Sequence, residues 1–402
     1  MIRRKDNKGR VLNDGESQRK DGRYTYQYTD ALGSRKSVYS WKLLPADKMP
    51  NGKRKDLSLR EKEKQIKDDL NRGIIPCGGN MTVLELVEKY IAQKNGVRYS
   101  TIRSYNFVIN ILKNDEFGEK RIDKVKISDA KEWIIKLQSS GKHYGTITVI
   151  CGVIRPAFQM AVDDDFLVKN PFTFKIGTVI VNDCETRKAL TKKQEEQFLE
   201  FVKNDKIYGR LYNGIYVLFN TGLRISEFCG LTVSDIDFKK QKIIVDHQLQ
   251  RRKDMTYWIE STKSSHGIRE IPMTDEVCEC LKQLVMYRKK PKVEPVIDGK
   301  AGFLFLDRNN MPMVAFHWDA FFNRIVNKYN KTHKIQMPNI TPHVCRHTFC
   351  SKMAKSGMNP KILQYLMGHS DVGITLNTYT HVNFDNAKIE YQRLETEKNS
   401  AV

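Results

Sequence analysis

The chain has 402 residues, with 69 Lys+Arg against 47 Asp+Glu, a net charge of +22 and 40% hydrophobic residues. That length is too great for one ordinary core, and the apolar content is enough to fill two to four. No apolar run approaches eighteen residues, so no membrane span is expected, and an excess of positive charge this large points to nucleic acid as the anionic partner.

The opening stretch MIRRKDNKGR is charged and has no apolar segment behind it. It does not read as a secretory signal, and the chain is expected to stay in the cytoplasm. Eight cysteines are scattered without a paired C-x-x-C spacing. Reduced, mostly buried thiols are expected rather than a zinc site or a disulfide framework.

In residues 1–75 the first pattern is a strand beginning at Arg23. Tyr24, Tyr26 and Tyr28 alternate on one face with Thr25, Gln27 and Thr29 on the other. Asp30 to Ser34 reads as a turn, and Val38, Tyr39 and Trp41 lie on a second strand. Ser58 and Glu61 form a capping box, so a charged helix should open there and fade by Gly73. The expectation is a small α+β domain, one sheet on one helix. A basic sheet face can enter a major groove, which makes Arg19, Lys20, Arg23, Arg35, Lys36 and Lys42 candidates for contacts with DNA.

Gly73 to Asn80 reads as a linker by its Gly and Pro content. Residues 80–172 then show four helical patterns. Thr82 caps the first, with Leu84, Val87 and Ile91 inward; the second carries Ile102, Tyr105, Ile109 and Leu112. Ser128 is expected to cap the third, with Ala130, Trp133, Ile134 and Leu137 inward. The fourth carries Ile147, Ile150, Ile154, Phe158 and Ala161, and Pro156 is expected to kink or split it. This is an all-α four-helix domain.

Residues 173–188 carry little patterning and read as a second linker. Residues 185–402 form the largest domain, mainly α with a small antiparallel β-meander. Thr191 with Gln194 is a capping box that opens its first helix. The meander is drawn from Lys242 to Asp246, Thr256 to Glu260 and Ile268 to Ile271. No internal repeat is present. No Gly-x-x-x-x-Gly-Lys-Ser/Thr loop occurs, so ATP is not implied.

Four separated pieces of this last domain carry the chemistry: Arg224 in TGLRISE, Lys263 in STKSSHGIREIP, His343 with Arg346, and His369 with Tyr379. His343 and Arg346, three apart on a helix, project toward the same side. Asn359-Pro360 starts another helix and Gly368 ends it, which fixes His369 just past its end. Ser370-Asp371 can cap a short helix leading to Tyr379. Arg224 sits in an apolar segment, where a guanidinium needs an anion, and Glu227 is placed to supply one. A guanidinium fork suits phosphate oxygens, and a phenolic oxygen can act as a covalent nucleophile.

TGLRISE, a hairpin lysine, HxxRHTF, GHS and TxxxYxH, in that order, resemble the tyrosine recombinases, the integrase family, over about residues 185–385. The segment ESQRKDGRY and the strands after it resemble the N-terminal domain of conjugative-transposon integrases in particular. The family usually has Leu where this chain has Cys345. The resemblance implies an arm-type DNA-binding domain at 1–75, a core-binding domain at 80–172 and a catalytic domain with a C-terminal tail at 185–402.

It further implies a site-specific recombinase that integrates and excises a mobile element through a 3′-phosphotyrosyl intermediate. Tyr379 would be the nucleophile. Arg224 and Arg346 would clamp the phosphate, His369 would add a hydrogen bond, Lys263 would protonate the leaving 5′-oxygen and His343 would manage the tyrosine proton. No cofactor and no metal are expected. The partners implied are double-stranded DNA at attachment and arm-type sites, a homo-tetramer on that DNA, and an excisionase accessory protein as a candidate for setting direction. Two other readings stay open on the residues: a type IB topoisomerase-like enzyme, and a non-catalytic DNA-binding regulator, which leaves the six site residues unexplained.

Overall fold

The computed structural model describes residues 4–29, 35–50, 52–53, 56–71, 81–184, 188–261, 267–376, 388 and 392. The chain divides into two compact units, Met1–Glu185 and Thr186–Val402.

In the N-terminal part of the first unit, β1 (Glu16–Gln18), β2 (Tyr24–Thr29) and β3 (Arg35–Ser40) form an antiparallel sheet in that order, followed by α1 (Leu59–Asn71). Alternation places Tyr24 and Tyr26 inward with Leu12, Leu43 and Leu59. The expected capping box forms: the Ser58 N–H donates to Glu61 at 2.9 Å. Sequence patterning did not identify β1, which is too short to show alternation. Its Glu16 is buried and paired with Arg60 of α1 at 3.0 Å.

The later part of this unit contains α2 (Val83–Ala92), α3 (Tyr99–Lys113), the single-turn α4 (Glu116–Glu119), α5 (Ile127–Ser139) and α6 (Tyr144–Asp163). They share a core that includes Leu86, Val108, Trp133, Ile154 and Phe158. Several expectations need correction. In α2 the fully buried residues are Val83, Leu86 and Val87, while Leu84 and Ile91 pack against the core only partly buried. Ile102 of α3 is exposed. The third helix begins at Ile127, before Ser128, and its first turn is closed by Asp129 accepting from the Lys126 N–H at 2.8 Å. Pro156 neither splits nor ends α6. The helix runs from Tyr144 to Asp163 with Pro156 inside it. By length and hydropathy α6 could cross a membrane. Its Ile147, Ile150, Ile154, Phe158 and Ala161 are instead fully buried against the other helices. The stretch expected as an irregular linker lays Ile180 into the same core, with Phe174, Ile176 and Val179 packed against it.

The second unit begins with α7 (Lys192–Asn204), capped by Thr191 as expected, followed by α8 (Tyr212–Thr221) and α9 (Ile225–Gly230). Five strands follow: β4 (Ile236–Asp237), β5 (Lys242–Val245), β6 (His247–Arg251), β7 (Tyr257–Ser261) and β8 (Arg269–Pro272). They do not form one consecutive meander. β5 pairs directly with β8, Ile243 opposite Ile271, in a sheet ordered β4-β5-β8, while β6 and β7 make a separate hairpin. The helices α10 (Asp275–Met286), α11 (Ala315–Thr332), α12 (Pro342–Lys355), α13 (Pro360–Met367) and the short α14 (Val372–Leu376) complete the described part. Trp318, Phe228 and Phe305 pack ring against ring near the middle of the core, with centroids 4.5–5.1 Å apart.

Candidate active site

Two helices of the second unit end on left-handed glycines, and the site is built between those ends. α8 stops at Gly222 (φ +65°) and α13 at Gly368 (φ +61°), a conformation that costs a residue with a Cβ. Two residues past Gly222, Arg224 is the N-cap of α9. Its own N–H donates to Glu227 at 2.9 Å and its Nη1 to the same carboxylate at 2.7 Å. Arg346 lies in α12, on the buried side of the helix with Val344, Cys345, Phe349 and Cys350.

The last carbonyls of a helix lack intrahelical partners and carry the negative end of its dipole. Here three guanidinium groups meet three consecutive carbonyls at the end of α13. Arg269 Nε donates to Leu366 at 2.7 Å, Arg346 Nη2 to Met367, and Arg224 Nη2 to Gly368 at 2.5 Å. Arg346 Nη1 reaches back to the Gly222 carbonyl, so one side chain spans both helix ends. His369 follows directly, and its Nδ1 lies 2.9 Å from the Thr375 hydroxyl of α14.

The electrostatics are those of a positive site with too few anions. Burial pushes the Glu227 carboxyl up, but the hydrogen bond from Arg269 and the charges of Arg269 and Arg224 hold it below the usual range. Burial and the neighbouring Arg224 bring the Arg346 guanidinium down to about 9, still protonated at neutral pH. Burial, then the charges of Arg346, Arg224 and Arg269, push the His369 imidazole down to about 4. Among the described residues, one carboxylate therefore faces three guanidinium groups beside a neutral imidazole, an arrangement suited to an incoming phosphate.

Of the expected site residues, Arg224, Arg346 and His369 come together. His343 lies on the exposed face of α12, close enough that its charge acts on His369. Lys263 and Tyr379 lie outside the described residues. The residue that sequence reasoning missed is Arg269. Its signal was present: alternation in Ile-Arg-Glu-Ile puts Arg269 on the inward face with Ile271, and a buried arginine needs an acid. Cys345 is fully buried in the main core beside Arg346, and burial raises its thiol well above the ordinary value.

Asp235, Asp246 and His247 bring ligand-type atoms together. The Lys300 ammonium lies 3.8 and 3.3 Å from the two carboxylates, and His247 is engaged by Asp246 and by the Gly230 carbonyl. The positive charge there is thus already supplied by the chain.

On the N-terminal sheet, register puts Arg35 and Tyr39 on the outward face. Arg19 and Arg23 lie over the Tyr39 ring at 5.4 and 5.8 Å, and Arg23 and Lys53 over the Trp41 ring at 5.6 and 5.3 Å. Lys20 is exposed in the turn after β1. Lys36 belongs to the opposite face from Arg35, and Lys42 is half-buried where its carbonyl accepts from Leu59. The six basic candidates therefore do not share one face.

Two family models match the chain: the phage integrase family over residues 188–386 and the DNA binding domain of Tn916 integrase over residues 1–70. The chain is 45% identical to the transposase from transposon Tn916 of Enterococcus faecalis over 397 residues, 98% of each protein. It is similar to the solved Tn1549 transposon integrase in complex with a circular intermediate DNA, with 44% identity and a TM-score of 0.74 over 78% of this chain and 99% of that one. A lambda integrase tetramer on a Holliday junction shares the fold at 15% identity, with a TM-score of 0.53 over 94% of this chain and 98% of that one. Taken with the arginines gathered at the end of α13, these matches show that the chain belongs to the phage integrase family of tyrosine recombinases, on the transposon-integrase branch, and is a site-specific DNA recombinase.

Proposed function

We propose that this recombinase integrates and excises a mobile element by exchanging strands through a covalent 3′-phosphotyrosyl intermediate. The Tyr379 phenolic oxygen attacks the scissile phosphorus. A new bond forms to the 3′-phosphate, and the 5′-oxygen leaves with a proton from Lys263. The phosphoester is conserved in energy, so rejoining is the same reaction run with a 5′-hydroxyl from the partner strand. Arg224 and Arg346 hold the non-bridging oxygens and stabilise the charge that builds on them. His369 adds a donor to the same group, and His343 takes up the tyrosine proton.

The observation that carries this reading is the convergence of Arg224, Arg346 and Arg269 on the Gly368, Met367 and Leu366 carbonyls beside His369. Tether lengths agree with it. Tyr379 follows Thr375, which touches His369, by four residues, and four residues span at most roughly 14 Å. Lys263 precedes Gly267, whose carbonyl accepts from Arg269, by the same number.

The remaining parts are read as DNA-handling modules. Residues 1–75 bind arm-type sites through the outward sheet face carrying Arg19, Arg23, Arg35 and Tyr39. The helices of 80–172 hold the core site, and 185–402 performs the chemistry. Four protomers assemble on paired double-stranded sites in the bacterial cytoplasm, with residues beyond Tyr379 packing on a neighbour and an excisionase accessory protein setting direction. No cofactor or metal takes part.

A nicked suicide duplex tests the chemistry. Wild-type chain should give a DNA adduct that survives denaturing electrophoresis, and Tyr379→Phe should bind the duplex without forming one. An adduct in Tyr379→Phe removes that residue from its role. Relaxation of plasmids without any two-site exchange would make the protein a topoisomerase instead.

A further inference from the structure

Arg269 is the most thoroughly enclosed cation of the second unit's site, with a side chain of 0% relative exposure. Its three nitrogens are all engaged. Nη2 and Nη1 fork onto Glu227 at 2.8 and 3.2 Å, Nη1 also donates to the Gly267 carbonyl at 3.1 Å, and Nε donates to Leu366 at 2.7 Å. Glu227 in turn holds both the backbone and the Nη1 of Arg224. Arg269 thus ties the carboxylate that orients one phosphate-binding arginine to the helix end that presents the other arginine and His369.

We propose that Arg269 is a positioning residue for strand cleavage, acting through Glu227 on Arg224 and through the end of α13 on His369. The inference rests on the recombinase reading above. Arg269 leaves little room for substrate, because four of its five N–H donors are taken by protein oxygens and its side chain is closed to solvent. Its effect on a phosphate is exerted through the groups it fixes. Removing it releases Glu227 to turn wholly onto Arg224. The Arg224 fork, which has to serve both Glu227 and the phosphate, is then drawn away from the phosphate.

The geometry explains why the position calls for arginine. A planar guanidinium can fork onto a carboxylate with two nitrogens and still direct its third at a carbonyl elsewhere. A lysine ammonium is a single point and cannot reach Glu227 and Leu366 in the same way. Arg269→Lys keeps the charge and should keep the fold, whereas Arg269→Met removes both.

The test uses full-length protein and single-turnover cleavage of a nicked suicide duplex. Two substrates are compared, one with an ordinary scissile phosphate and one with a neutral methylphosphonate there. The methylphosphonate carries less charge for arginine to stabilise. Arg269→Lys should cleave the phosphate at least tenfold more slowly than wild type, with DNA affinity within threefold. On the methylphosphonate the deficit should shrink to threefold or less. Arg269→Met should lower cleavage further. If it does not fold, the Lys comparison alone decides the matter.

Equal deficits on both substrates would overturn the proposal, since a merely loosened fold slows both alike. So would Arg269→Lys cleaving the phosphate within threefold of wild type. Should wild-type protein form no adduct at all, the failure lies with the recombinase reading and not with Arg269.

Discussion

Replacing Gly368 by alanine probes how closely the arginines are held. Gly368 has φ +61°, and a Cβ there would stand 3.0 Å from Arg269 Nη1 and 3.2 Å from Arg224 Nη1. The left-handed backbone costs an alanine about 1–2 kcal/mol. Crowding adds about 1 kcal/mol, at the low end for an overpacked site, because contacts of 3.0 and 3.2 Å need only a small displacement of the two guanidinium groups. For a unit the size of Thr186–Val402, about 2–3 kcal/mol lowers Tm by roughly 4–12 °C.

Cleavage should suffer separately. Losing one preorganised donor costs about 2.7–4 kcal/mol of transition-state stabilisation, and a displaced donor loses part of that. A fall of about 10- to 100-fold in single-turnover adduct formation is expected, measured well below both melting temperatures. Gly299→Ala is the control. Gly299 has φ +80° with nothing within 4 Å of a Cβ, so it carries the strain without the contacts. It should lose stability and keep its cleavage rate. Wild-type cleavage by Gly368→Ala, with a Tm loss no larger than the control's, would refute the claim that these arginines are fixed against the end of α13.

Arg346→Ala strips the Gly222 and Met367 carbonyls of their shared donor. It should reduce adduct formation by two orders of magnitude or more while DNA binding, followed by gel shift, persists. Cleavage within tenfold of wild type would count against its role. The His369 imidazole, held down at about 4 against an ordinary 6.5, makes a signed prediction for pH. Its contribution to stability is complete above about pH 6.5 and is lost as pH falls toward 4, because the unfolded chain takes up the proton first. Thermal melts of DNA-free protein should therefore fall across that window, and His369→Asn should flatten the fall. An unchanged slope would mean that His369 is not buried among the arginines as described.

Much of this molecule could be read from the residues in order. Local rules were enough wherever the physics is local. Alternation gave the tyrosine strand β2. The Ser58–Glu61, Thr82 and Thr191 caps started their helices, and Gly368 ended α13 where a left-handed residue was required. The family pattern was also legible, because its residues keep their order and local context. What sequence could not supply was pairing at a distance. β5 meets β8 across an inserted hairpin, a connection that strand patterns alone do not specify. Pro156 sits inside α6 without ending it, which local propensity does not foretell. Arg269 looked like an ordinary strand residue until the fold set it between Glu227 and the last turn of α13. A buried guanidinium is stable only when it is paired and hydrogen-bonded, and apart from the Gly267 carbonyl its oxygens come from residues 42 and 97 positions away. Sequence therefore determined which side chains could serve a phosphate. Tertiary packing alone decided that two of their guanidinium groups, those of Arg224 and Arg346, would be drawn with that of Arg269 to one helix end.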